Sequence, residues 1–330
     1  MKALTFKRYG KSPEIGITDV PRPTPKSDEL LVQVHAASVN PIDNMIPTGI
    51  FKAVVKFQLP ATLGSDLAGV VVELGSRVTR FKVGDAVFAN IFDQGTGSIA
   101  EFAVVPESAA ALKPDNLDFV QAASIPMVGL TSWQALKERL KLQSGQKVFI
   151  PAGSGGIGTF AIQLAKLMGA TVGTTTSTGN VELVRSLGAD EVVDYKKQKF
   201  EAVLRDYDAV LGTVRGDSIE KALGILKAGG KIVSLVGHLD VAFARARRLN
   251  FILTFVFALM SRKIMRLARK RNVDYSFLFA RPDGDQLAQI GKLLEAQSIR
   301  PVSTRCLPSS RPGRRWRTSP RVGRKAKWSC

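Results

Sequence analysis

Gln146-Lys147-Val148-Phe149-Ile150-Pro151 runs directly into Ala152-Gly153-Ser154-Gly155-Gly156-Ile157-Gly158 and then Thr159-Phe160-Ala161-Ile162-Gln163-Leu164-Ala165-Lys166. The short apolar run reads as a buried strand and the stretch after the glycines as a helix. G-x-G-x-x-G between a strand and a helix is the context in which that pattern signals a dinucleotide. Gly153 permits the tight turn, Gly155 lets backbone approach a pyrophosphate, and Gly158 lets helix and strand pack closely. Free N–H groups and the dipole at the helix start favour phosphates. A plain tight turn is the competing reading, and the flanking elements weigh against it.

Downstream, helices alternate with the apolar strands 170–174, 191–194, 209–211 and 231–236, which predicts a doubly wound parallel sheet. An NAD site usually presents an acid at the end of the second strand, toward the ribose hydroxyls. Thr174-Thr175-Thr176-Ser177-Thr178-Gly179-Asn180 offers hydroxyls there and no acid before Glu182, so NADP(H) is favoured, although no arginine stands in that turn. A solvated Thr-rich loop is the alternative. Upstream, residues 1–115 hold short alternating strands such as 29–36 and 68–75, with 81–88 a turn followed by another strand, separated by Gly, Pro and Asp turns, and predict a β-rich, barrel-like domain. The period changes near Val120, where helices are expected over 119–126 and 129–140.

The chain of 330 residues is 45% hydrophobic and 23% charged, which excludes disorder, collagen and coiled coil and suits about two domains. Two cysteines, Cys306 and Cys330, and two histidines, His35 and His238, argue against a cysteine-rich zinc lobe or a His-based metal site. The opening Met1-Lys2-Ala3-Leu4-Thr5-Phe6 reads as a strand, so a cytoplasmic protein is expected. Net charge is +19, yet residues 241–272 and 301–330 each carry nine Lys/Arg and no acid, leaving 29 basic against 28 acidic residues elsewhere. A neutral body predicts no specific nucleic-acid partner. Phe251 to Met260 is nearly continuous apolar sequence between Arg248 and Arg262, too short to span a bilayer. An interfacial membrane helix is one reading; a helix packed on the domain or at a subunit contact is the favoured one.

From Ser303 onward the text loses all apolar periodicity. One reading is a solvated basic tail that binds phosphate groups. The other, favoured here, is a shifted reading frame. Starting each codon at the third base of the preceding one, from Arg315, permits Ala after the Trp316 codon. That Ala is the second residue of Leu-Ala-Tyr-Val-x-x-Gly-Arg-Ala-Lys-Gly-Lys-Val-Val-Val: a helix end, a basic turn and a buried strand. Residues 303–330 would then replace a closing helix and strand.

Several further stretches carry a resemblance: Ala36-Ala37-Ser38-Val39-Asn40-Pro41-Ile42-Asp43, Leu63-Gly64-Ser65-Asp66-Leu67-Ala68-Gly69-Val70, Phe81-Lys82-Val83-Gly84-Asp85, Gly129-Leu130-Thr131-Ser132-Trp133, Leu187-Gly188-Ala189-Asp190-Glu191-Val192 and Ile299-Arg300-Pro301-Val302. With the glycine loop they resemble, in order over residues 1–302, the zinc-independent quinone oxidoreductase-like branch of the medium-chain dehydrogenase/reductases. The Ser-Val-Asn-Pro-Ile-Asp stretch looks closest to plant alkenal/enone reductases and the mitochondrial reticulon-interacting reductase.

The resemblance implies an α/β protein: a GroES-like β-barrel catalytic domain over 1–117, a doubly wound Rossmann domain over 118–280, a return to the catalytic domain over 281–302, and a cofactor cleft between the domains. Zinc-dependent relatives carry Cys near Val39 and Gly-His-Glu where Gly64-Ser65-Asp66 stands, so no metal is expected. Hydride transfer from NADPH to a quinone or an α,β-unsaturated carbonyl is the implied chemistry. By resemblance Ser154, Gly155, Gly156 and Ile157 hold the pyrophosphate, Ser177 and Tyr195 lie near the 2′-phosphate, and Thr131, Leu235, Phe279 and Ala280 line the nicotinamide region. Asn40 is the polar candidate beside the substrate carbonyl, with Asp43 or Asp66 orienting its loop; an Asx turn before Pro41 is the competing reading of Asn40. Phe51 stands where some relatives have Tyr, which leaves no proton donor named there. Arg215, at a strand's C-terminal end, is open to a phosphate contact or none. A homodimer through edge strand 275–279 is expected at family level. The alternative function is an NADPH-binding protein without turnover, crystallin-like or associated with RNA or membrane.

Overall fold

A computed structural model describes residues 1–55 and 57–302; the expectations for residues 303–330 lie outside the described residues. The chain forms two compact units, Met1–Leu130 with the described residues from Arg281 onward, and Thr131–Ala280.

The first unit is built from short antiparallel strands: β1 Lys2–Phe6, β2 Ile15–Asp19, β3 Glu29–Ser38, β4 Ala61–Thr62, β5 Asp66–Leu74, β6 Ala86–Asn90, β7 Phe102–Pro106 and β8 Ala110–Leu112. Five form a sheet in the order β7-β3-β5-β6-β8, and β2-β1-β4 form a second. Alternation along β3 and β5 turns Leu30, Val32, Leu67 and Val71 into one core with Val87 and Val105. Helix α1, Pro41–Met45, follows β3; α2, Phe119–Ala123, and α3, Pro126–Trp133, follow β8. The change of sequence period near Val120 therefore precedes the unit boundary after Leu130. His35 stacks on Phe119 at 4.4 Å and the Met127 N–H donates to Asp66 at 2.9 Å, which ties α2 and the start of α3 to the barrel strands.

The second unit is a parallel sheet of β9 Lys147–Ile150, β10 Thr171–Thr176, β11 Glu191–Asp194, β12 Tyr207–Gly212, β13 Leu226–Ser234 and β14 Asp274–Phe277, in the order β11-β10-β9-β12-β13-β14. Strand order reverses between β9 and β12, the place where doubly wound sheets bind ligands at their C-terminal edge. Its helices are α4 Gly156–Leu167, α5 Val181–Ser186, α6 Phe200–Val203, α7 Ser218–Ala222, α8 Val241–Ala246 and α9 Phe251–Lys270. Phe149, Tyr207, Val210, Ile232 and Tyr275 anchor one core cluster.

Helix α10, Gly284–Glu295, belongs to the first unit. It buries Leu287, Ile290 and Leu294, and is pinned by Arg80 to Asp285 at 2.8 Å and by Asn116 Nδ2 to the Leu294 carbonyl at 3.0 Å.

One boundary differs from the sequence reading. Thr175 and Thr176, expected in the turn after a strand ending at Thr174, are buried members of β10, a conformation that suits β-branched side chains. Thr174 donates its hydroxyl to the Ile150 carbonyl at 2.6 Å, so the turn begins at Ser177.

Candidate functional site

The glycine loop leaves β9 at its C-terminal end and turns through Ala152 at φ +55°, a left-handed residue that the glycine pattern does not single out. The Ala152 N–H donates to Thr175 Oγ1 at 3.1 Å and the Gly153 N–H to the Thr175 carbonyl at 2.9 Å, so β10 fixes the turn. A Cβ on Gly153 would lie 2.2 Å from Thr174 Oγ1, and one on Gly158 2.5 Å from the Ala152 carbonyl oxygen. Both glycines are therefore required by packing. At Gly155 the nearest atom to such a Cβ is 3.1 Å away and the residue is exposed, N-capping α4 in extended conformation. Ser154, Gly156 and Ile157 are partly exposed beside it, with Ser154 Oγ held by Thr176 Oγ1 at 3.0 Å. The unpaired first-turn N–H groups of α4 open onto this loop, an arrangement suited to a pyrophosphate.

Ser177 and Tyr195 come together through register. Thr176 of β10 pairs with Asp194 of β11, each candidate is the next residue, and the Tyr195 N–H donates to the Thr176 carbonyl at 3.1 Å. Tyr195 is exposed, and Ser177 accepts from Asn180 Nδ2 at 2.9 Å. Three neighbours escape the sequence reading. Asp194 is an acid at this edge, but Thr178 donates to it at 2.6 Å and the Lys196 N–H at 3.0 Å; the Thr178 hydroxyl, foremost, holds its carboxyl below the usual range. Lys196 and Lys197 follow immediately, supplying cationic charge that no arginine in the Ser177 turn supplies. The signal that could have found them is a pair of lysines directly after a strand end.

Leu235 follows β13, and Phe279 and Ala280 follow β14; all three are at the same C-terminal edge, Leu235 and Ala280 partly exposed. The Leu235 N–H reaches the Gly212 carbonyl and the Leu278 N–H the Ser234 carbonyl, both at 2.9 Å. Phe243 of α8 sets its ring edge-on to Phe277 at 5.4 Å and Phe279 at 5.7 Å, while Arg247 lies 4.9 Å over Phe279. Arg215, in the loop after β12, is exposed.

In the barrel unit the polar candidates form one buried cluster around Asp66. Asp66 Oδ2 accepts from Ser38 Oγ at 3.0 Å and Asn40 Nδ2 at 2.8 Å; Oδ1 accepts from Asn90 Nδ2 at 2.7 Å and the Met127 N–H at 2.9 Å. Asn40 thus spends its amide on a distant carboxylate. Asp43, wholly buried, accepts from the Asn40 N–H at 2.7 Å and from the Ser65 hydroxyl in a very short bond. Burial foremost pushes the Asp43 carboxyl up to about 7, against the pull of Ser65 and the Asn40 N–H, with Asp66 nearby adding to the rise. Ser65 also lines a crevice with Ile46, Phe57, Leu63 and Phe92. Thr131, the other catalytic candidate, is buried within α3 and belongs to the second unit. No group of three or more His, Cys, Asp or Glu side chains able to hold a metal occurs among the described residues.

Comparison with known proteins gives the family. Residues 26–115 match the alcohol dehydrogenase GroES-like domain and residues 187–310 the family described as zinc-binding dehydrogenase. The chain is 40% identical over 246 residues to the chloroplastic NADPH-dependent alkenal/one oxidoreductase of Arabidopsis thaliana, covering 72% of this chain and 63% of that protein. It thus spans less than two thirds of that relative's length. It is 34% identical over 337 residues to the mitochondrial NAD(P)H oxidoreductase RTN4IP1 of Mus musculus, covering 94% of this chain and 84% of that one. Among solved structures, the quinone oxidoreductase from Coxiella burnetii superposes with a TM-score of 0.79 at 31% identity, covering 94% and 92% of the two chains. The chain belongs to the medium-chain dehydrogenase/reductase family, among the quinone and alkenal/one oxidoreductase-like members.

Proposed function

We propose that this protein is a zinc-independent, NADPH-dependent oxidoreductase that transfers hydride to a quinone or an α,β-unsaturated carbonyl. The observation that carries the reading is the C-terminal edge of the parallel sheet, where an exposed Gly155 caps α4 and Ser177 and Tyr195 stand side by side past paired strand ends. The names of the relatives support the cofactor and the acceptor class.

NADPH, when bound, supplies the hydride. Ser154, Gly155, Gly156 and Ile157 hold its pyrophosphate, Ser177, Tyr195 and Lys196 its 2′-phosphate, and Leu235, Phe279, Ala280 and Thr131 the nicotinamide end. Asn40, oriented by Asp66, positions the acceptor carbonyl. The crevice residue Ser65 donates to Asp43, which also accepts from the Asn40 N–H and so helps to orient the Asn40 loop. Zinc does not fit the site: both Asp66 oxygens face hydrogen-bond donors, and Ser65 and Val39 are not metal ligands of the kind zinc selects. The reading also carries a homodimer paired along β14, an edge strand of its sheet, in a reducing, cytoplasmic setting supported by a sequence with two cysteines.

Fluorescence titration with NADPH and NADH, followed by a quinone and then an enone in the same cuvette, tests the proposal. NADPH binding in preference to NADH, with turnover of either acceptor, is the expected result. Binding without turnover returns the chain to the non-enzymatic alternative, and binding of neither cofactor overturns the reading of residues 152–158.

A further inference from the structure

Helix α9 has one face anchored and one face open. Phe257, Ser261, Ile264 and Ala268 are buried; Phe257 packs on Phe243 of α8 at 6.2 Å, and Ile264 and Ala268 join the sheet core. On the other side Phe251, Ile252, Phe255, Val256, Leu259 and Met260 are 82%, 57%, 63%, 39%, 53% and 48% exposed. Their spacing of one, three and four residues makes a single outward stripe over the first half of the helix. A contiguous apolar stripe of this kind marks an interaction surface rather than ordinary scatter of exposed side chains.

The charge around the stripe narrows the partner. Residues 241–272 carry nine Lys/Arg and no acid. Lys263 pairs with Glu220 at 2.9 Å. Arg248, Arg262, Arg266, Arg269 and Lys270 supply further positive charge along the same segment. A second copy seated on this stripe would bring two cationic arrays together. A nucleic acid would use the cations and leave six apolar side chains in water. An anionic lipid surface uses both features at once, acyl chains for the stripe and headgroup phosphates for the Arg and Lys.

We infer that α9 is a docking device for an anionic bilayer surface and lies in the interface. Among the described residues no helix is long and apolar enough to cross a membrane, so the attachment lies on the bilayer. The inference does not depend on the reductase reading, because the outward stripe includes none of the residues assigned to the cofactor.

The test is vesicle flotation of the full chain on phosphatidylcholine with and without phosphatidylglycerol, at low and high salt. Binding about tenfold or more stronger on the anionic vesicles, weakened but not abolished by salt, is expected. Phe251→Ser with Phe255→Ser and Leu259→Ser should reduce that binding about tenfold or more without changing the melting temperature, since these side chains are already exposed. Absence of anionic-vesicle binding overturns the inference. So does binding that survives the triple substitution, which would come from the basic residues 303–330. Conversion of a dimer to a monomer by the same substitution, seen by sedimentation, also overturns it and assigns the stripe to a second copy.

Discussion

Asn40 Nδ2 donates to Asp66 Oδ2 at 2.8 Å, and that bond makes Asp66 the hub that joins β3, β5, β6 and the start of α3. The loop after β3 is therefore positioned by a buried acceptor with four donors. Removing the acceptor strands those donors, each worth about 1–3 kcal/mol when left unpaired and not additive. Asp66→Ala should lose about 3 kcal/mol or more in urea unfolding.

Asn40→Ala removes one donor to Asp66 and the N-cap side chain of α1, and should cost about 1–2 kcal/mol of stability. If Asn40 positions the acceptor carbonyl, kcat/KM for a quinone or enone should fall roughly tenfold or more while NADPH affinity stays unchanged. A parallel loss of NADPH affinity would mean that Asn40 is structural only.

Ser177 opens the turn after β10, beside Tyr195. A carboxylate there would face the proposed position of the 2′-phosphate, where an NAD site carries its acid. Ser177→Glu should weaken NADPH binding about tenfold or more, corresponding to roughly 1.4 kcal/mol, and leave NADH binding nearly unchanged. Equal effects on both cofactors, measured by titration, would place the 2′-phosphate elsewhere.

Much of this architecture is legible in the sequence, for a physical reason. Gly153 and Gly158 occupy positions where any Cβ collides, and steric demands of that kind leave a residue-type signature. Strand–helix alternation likewise follows from burial of both sheet faces. The features that sequence does not show depend on three-dimensional neighbours. Nothing in Thr175-Thr176 distinguishes strand from turn until β10 pairs with β11 as far as Thr176. Asp194, Lys196 and Lys197 gain meaning only because β11 pairs in register with β10. In sequence Asp43 and Asp66 are interchangeable loop acids, and total burial with few donors separates Asp43 from the donor-saturated Asp66.

That burial makes Asp43 a source of pH dependence. Its carboxyl is raised from the ordinary 3.8 to about 7 in the folded protein. Below the lower value folded and unfolded chains both hold the proton, and stability does not respond. Between the two, the unfolded chain has lost it while the folded chain keeps it, so stability falls as pH rises. Above about 7 the folded protein carries the buried charge and the loss is complete. Asp43→Asn keeps an acceptor for the Asn40 N–H, and the Ser65 hydroxyl can rotate to accept from the new amide. Urea midpoints of the variant should be flatter than wild type between about pH 5 and pH 7, and an unchanged slope would show that Asp43 is not the titrating group.

The last prediction concerns residues 303–330, read as a shifted frame. The family match over residues 187–310 runs into the first eight residues of this stretch, and the text from 311 onward is basic and aperiodic. One frame over, the same bases permit a helix end, a basic turn and three consecutive valines suited to a buried strand. Burying that strand would remove apolar surface from water at about 25 cal/mol per Å², a gain of several kcal/mol for a few fully buried side chains. A chain carrying the shifted-frame residues should therefore melt several degrees higher than this one, since about 1 kcal/mol moves the midpoint of a large domain by about 2–4 °C. An equal melting temperature would show that the basic text is the chain's proper ending, and sequencing of the DNA beyond codon 303 checks the same point independently.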